Sequence, residues 1–137
     1  MNPVRPRQTW GRKFQVAFRG IGVAMTTERS FRVHLPLALA VALLAAWFQI
    51  DPIRWCLLLL CVAGVLSAEL LNSAIERLAQ AIDAERVESD TIEPRDNARI
   101  RDSLDIASGG VLVFSILAAA VGLILFLPEL LSAIGLA

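Results

Sequence analysis

Three long apolar runs constrain this chain more than anything else in it. No charged residue stands between Leu35 and Ile50, between Trp55 and Ala68, or between Ile106 and Pro128. A helix needs about 20 predominantly apolar residues to cross a hydrocarbon core of about 30 Å. Inside lipid, only a helix or a closed barrel satisfies its own backbone. The runs therefore predict an all-α integral membrane fold with three transmembrane helices, at about 33–50, 53–73 and 106–128. A hydrophobic content of 56% agrees with that reading. At 137 residues the chain is expected to be a single domain, 1–137.

Charge sets the expected orientation. Net charge is zero, yet residues 1–34 carry seven Arg or Lys and one acid, Glu28. The segment from Arg77 to Asp105 carries five Arg, the turn before the second span only Arg54, and the C-terminal tail none. By the positive-inside rule, the N-terminus and the 77–105 loop are cytoplasmic. A multi-pass membrane location is expected. No nucleic-acid partner is expected. No secretory leader is expected either, because the first apolar run follows about 30 residues of basic sequence.

Ahead of the spans, Met1–Gln8 reads as a disordered basic tail. From about residue 9 to 27 the pattern turns helical. Trp10, Phe14, Ala17, Phe18, Ile21 and Met25 form an apolar stripe, while Arg12, Lys13, Gln15 and Arg19 share the other side. That is the pattern of an amphipathic surface helix lying in the membrane interface. Packing against the bundle is an equally open reading. Asp51-Pro52 predicts a tight external turn between the first two spans. Cys56 and Cys61, five residues apart and off one face, read as packing residues. Small residues in Ile106–Gly110, Ala118–Ala120 and Gly122 favour close helix approach and an oligomeric bundle.

The second span ends in an unusual way. Ala68–Glu76 reads A-E-L-L-N-S-A-I-E, and Glu69, Asn72 and Glu76 fall on one helical face at i, i+3 and i+7. The two carboxylates lie about 10 Å apart along the axis. Counted from Ile53, the hydrocarbon ends near Asn72, so Glu69 sits at its edge and Glu76 in water. An ionisable side chain at that depth is a functional hypothesis by default. Glu28 lies at the same interface; alone, it reads equally well as a solvated acid or a partner of Arg29 or Arg32. His34 reads as an interfacial polar residue rather than a ligand.

If the three acids converge, two in water suit Mg²⁺, which takes one or two carboxylates together with substrate phosphates. Glu69, partly desolvated, is the candidate general base, and a lipid headgroup hydroxyl its candidate proton donor. Arginines of the loop and of the basic helix are candidates to hold phosphates. Gly20-Ile21-Gly22 lacks the third glycine of a phosphate loop, and no Walker-type lysine motif occurs.

At these residues the sequence resembles the prokaryotic diacylglycerol kinase family of small three-span membrane enzymes. The likeness runs through A-F-R-G-I (Ala17–Ile21), E-R-S-F-R-V-H (Glu28–His34), E-L-L-N-S-A-I-E (Glu69–Glu76) and D-I-A-S-G-G-V-L-V (Asp105–Val113). The resemblance implies a homotrimer with active sites shared between subunits at the cytoplasmic face. It also implies MgATP-dependent phosphorylation of a lipid alcohol at a bacterial cytoplasmic (inner) membrane. Glu69 is then the catalytic base, Glu28 and Glu76 hold the metal and its nucleotide, and Asn72 supports the site. Asp105 matches a nucleotide-contacting acid, and Ser108 lies where lipid contact is expected. The pattern departs from the family in four places. Leu104 stands where a lysine is usual, making Arg101 the candidate phosphate contact. Gln80 replaces an acid, with Asp83 nearby, and Val16 replaces a polar residue of the surface helix. The 77–104 segment is also longer, by about ten residues.

The leading expectation is a kinase converting diacylglycerol to phosphatidic acid. An undecaprenol kinase is the neighbouring reading. A non-enzymatic oligomeric module with a buried cation or proton site at Glu69 is the reading from another class.

Overall fold

The computed structural model describes residues 9–89 and 94–136 and is all-helical over them. Four helices follow in order: α1 (Trp10–Thr27), α2 (Phe31–Trp47), α3 (Pro52–Ser89) and α4 (Pro94–Ala133). Helices α3 and α4 are long and apolar enough to cross a membrane. The pair α1–α2, bent by 102° at its break, supplies a third candidate span. The expected disordered tail, Met1–Gln8, lies outside the described residues.

The turn between α2 and α3 is built from local chemistry. Gln49 takes a left-handed backbone (φ 50°), and Ile50 N–H reaches back to the Ala45 carbonyl at 3.2 Å. Both Ile50 and Ala45 are buried, so this is a Schellman stop with its apolar contact. Asp51 then caps α3, its Oδ1 accepting from the N–H groups of Ile53 (2.9 Å) and Arg54 (3.1 Å). Pro52 occupies the first helical position, where its missing N–H costs nothing. The tight turn expected at Asp51-Pro52 is there. At its far end α4 stops the same way, with Gly135 at φ 74° and Leu136 N–H on the Leu131 carbonyl at 2.9 Å.

Helices α3 and α4 form the main antiparallel seam, and α2 packs on α3. Three contacts fix the α3–α4 register: Arg54 with Glu129, Gly64 with Phe114, and Asn72 with Ser108. Gly64 lets the two helices meet there, because a Cβ would stand 2.8 Å from the Phe114 ring and force it to shift. The apolar core sits at the turn end, where Ala45, Ile50, Leu58, Leu125 and Phe126 are buried together. Elsewhere large apolar side chains face outward, as in Ile106 and Ile124, which is how helices solvated by lipid differ from soluble ones.

Two expectations change. The 77–105 segment, expected to be a loop with partial helix beyond Ile82, is helical through Ser89 and again from Pro94. Ala, Arg and Glu are strong helix formers, and Pro94 takes the first helical position, so polarity there marks solvation rather than irregular backbone. For α1, the two open readings separate. Only Ala24 is buried, while Trp10, Phe14 and Phe18 are each more than 60% exposed. Lys13 stacks over the Trp10 ring at 4.5 Å. The stripe is uncovered by protein, and α1 turns away from α2 as an interfacial helix does.

Candidate active site

Glu69 is buried on α3, 4% exposed. Its Oε1 lies 2.9 Å from Nε2 of His34, near the start of α2. The hairpin explains the meeting, because His34 and Glu69 each lie 17 residues from the Asp51–Pro52 turn. At 1.5 Å per residue that is about 26 Å of helix, which puts the pair near the far edge of a hydrocarbon core. His34, expected to be an interfacial polar residue, is instead the direct partner of the buried carboxylate.

One turn further, Asn72 is buried and its Nδ2 donates to Glu76 Oε1 at 2.6 Å. On the facing helix, Ser108 Oγ donates to the Leu104 carbonyl at 2.9 Å and lies 3.4 Å from Asn72 Oδ1. Continuing the α3–α4 register by a turn sets Glu76 level with Leu104. Arg101, Asp105 and Ser108 share one face of α4 at i, i+4 and i+7. Arg101 and Asp105 are both exposed along it.

Glu28 ends α1 in extended backbone (φ −87°, ψ 132°), which produces the bend. Its Oε1 accepts from Nε and Nη2 of Arg77, both at 3.1 Å, and from Thr27 Oγ1 at 3.2 Å. Arg77 Nη2 also donates to Thr27. The partner is therefore Arg77 of α3, not Arg29 or Arg32. Arg77 follows Glu76 in the chain, so this bridge ties Glu28 to the stretch of α3 that carries the second acid. Among the described residues, no three His, Cys, Asp or Glu side chains gather into one metal cage. Glu28 and Glu76 each keep one carboxylate oxygen without a hydrogen bond among those residues.

Two grooves adjoin this polar network. One, of about 340 Å³, runs between α2, α3 and α4; Val41, Val62 and Ala118 are among its apolar walls, and His34 lines it as well. Cys61 lines it too, while Cys56 is exposed, and both thiols are free. The other, of about 550 Å³, lies between α1 and α3, with Arg19, Ser73 and Arg77 among its walls.

An α-helical membrane protein with a carboxylate ridge and an interfacial amphipathic helix is thus in place before any comparison. Residues 15–126 match the family described as prokaryotic diacylglycerol kinase, and the chain belongs to that family of lipid kinases. It is 33% identical to the undecaprenol kinase of Bacillus subtilis, over 87% of this chain and 89% of that one. It is 32% identical to the diacylglycerol kinase of Synechocystis, over 87% of this chain and 63% of the relative. The diacylglycerol kinase of Escherichia coli is 33% identical over 50% of this chain and 57% of its own. No solved structure matches.

Proposed function

We propose that this chain, as one domain over 1–137, phosphorylates a membrane lipid alcohol with ATP, using Glu69 as general base. The observation that carries the reading is a buried carboxylate held in place at the expected depth of a lipid headgroup. Glu69 accepts the proton of the lipid hydroxyl. The hydroxyl oxygen then bonds to the γ-phosphorus of ATP as the bond to the β–γ bridging oxygen breaks, leaving ADP. Because catalysis of this transfer is mostly positioning and charge stabilisation, the surrounding groups matter as much as the base.

Glu28 and Glu76 fit a Mg²⁺ site by the chemistry of their donors. They are hard oxygen ligands from neighbouring stretches, each with an oxygen to spare, and two carboxylates rather than a full cage suit an ion that shares phosphates. When bound, Mg²⁺ would supply positive charge to offset that of the phosphates. Asn72 orients Glu76. Arg101 and Asp105, on the exposed face of α4, are assigned to the nucleotide, and Ser108 with Asn72 to the lipid headgroup. The basic residues near the site support a cytoplasmic active face. A homotrimer is part of the same proposal, and the small residues of α4 suit close approach of neighbouring helices.

Diacylglycerol is the expectation from the sequence. Undecaprenol is the second reading, supported by a likeness to the Bacillus subtilis enzyme that spans most of both chains. The test is transfer of radiolabelled phosphate from ATP to each alcohol in mixed micelles, with and without Mg²⁺. Labelling of one lipid names the substrate; labelling of neither ends the kinase reading and leaves the cation-site module.

A further inference from the structure

From the geometry we infer that His34 is the positioning residue of the general base. The inference rests on the role proposed for Glu69. That carboxylate is almost wholly buried, and one of its oxygens is engaged by His34 Nε2 at 2.9 Å. An ionised carboxylate only accepts, so the imidazole donates from Nε2. With Oε1 held, Oε2 is the oxygen left for the substrate hydroxyl. A base oriented by a third group is the recurring arrangement of activated nucleophiles.

The placement of His34 gives this contact a mechanical basis. The ring belongs to α2, and α2 is locked to α3 by the Asp51-capped turn and the buried Ala45–Ile50 contact. Rotation of the Glu69 side chain away from the lipid would therefore have to break a bond to a different helix. His34 also lines the groove of about 340 Å³, where it and Ser115 are the polar members of a largely apolar wall.

The chain contains one histidine, which makes the test direct. Untagged protein carrying ¹⁵N-histidine would be compared with Glu69→Gln by NMR of the ring nitrogens in micelles. The inference expects the Nε2 resonance to move when Glu69 is replaced; identical ring spectra overturn it. In kinetics, His34→Ala should lower kcat by about 100-fold, the scale for misplacing a catalytic group by about 1 Å. Its KM for lipid should stay unchanged. His34→Gln, which keeps an N–H donor of similar reach, should recover most of the loss. A His34→Ala enzyme with normal kcat sinks the inference alone, provided Glu69→Gln is dead. An active Glu69→Gln enzyme sinks the base reading instead.

Discussion

The two ends of the helical bundle spend their charged residues differently. At the turn end, Asp51, Arg54 and Glu129 form a closed set: Arg54 Nε lies 3.1 Å from Asp51 and its Nη1 2.6 Å from Glu129. Beneath them lies the apolar core, with the Phe48 and Phe126 rings 6.5 Å apart. At the other end the buried apolar residues, Ala24, Phe31 and Ala79, stand outside that cluster. Glu69, Asn72, Glu76, Glu28, Arg77 and His34 make pairs between three elements, and carboxylate oxygens remain open. One end matches every charge with a partner and a cap; the other holds each of its three acids through one carboxylate oxygen and leaves the second oxygen open among the described residues. Stability is concentrated where chemistry is absent.

Substitutions can break that contrast. The largest effect is expected from Glu69→Gln, which should cut phosphate transfer by about 100-fold to 10,000-fold, the range of a lost general base. Its helical circular dichroism and melting temperature should match the parent, and near-normal turnover would refute the division. Glu28→Ala and Glu76→Ala should each raise the Mg²⁺ concentration for half-maximal rate by about tenfold or more, since charge count tunes such sites. A titration of rate against Mg²⁺ reads this directly. Gly64→Ala tests the seam between the ends. Its methyl group meets Phe114, so unfolding in detergent should be easier by about 1–3 kcal/mol with KM for both substrates unchanged. The smallest effect belongs to the turn end. Arg54→Ala should cost about 0.2–1 kcal/mol and leave kcat untouched, because a half-exposed ion pair contributes little. A large loss of activity there would erase the distinction between the two ends.

Much of this was legible before any coordinates. Uncharged runs locate α2, α3 and α4 because hydrocarbon tolerates only a self-satisfied backbone. Glu69, Asn72 and Glu76 declare themselves by helical spacing. His34 did not, because a lone interfacial histidine has no local pattern. Its distance from the Asp51–Pro52 turn, equal to that of Glu69, was the available signal. Arg54 with Glu129 spans 75 positions and leaves no short-range trace. Arg77 was hidden among other loop arginines until the bend at Glu28 brought it a partner. The reach of α3 to Ser89 was missed because polarity was taken for irregular backbone. Arg101 and Asp105 share an exposed face of α4, and their roles rest on the proposed reaction.

The capped turn at Asp51–Pro52 has one more effect, on the membrane rather than the protein. With both arms pinned there, the height of Glu69 above that interface is a fixed ruler length, and the bilayer must supply the match. In a thicker membrane the ruler falls short and the carboxylate sinks among acyl tails; in a thinner one it stands clear among the headgroups. On the proposed reaction, lipid thickness thereby becomes a control over whether Glu69 and an alcohol share the same plane.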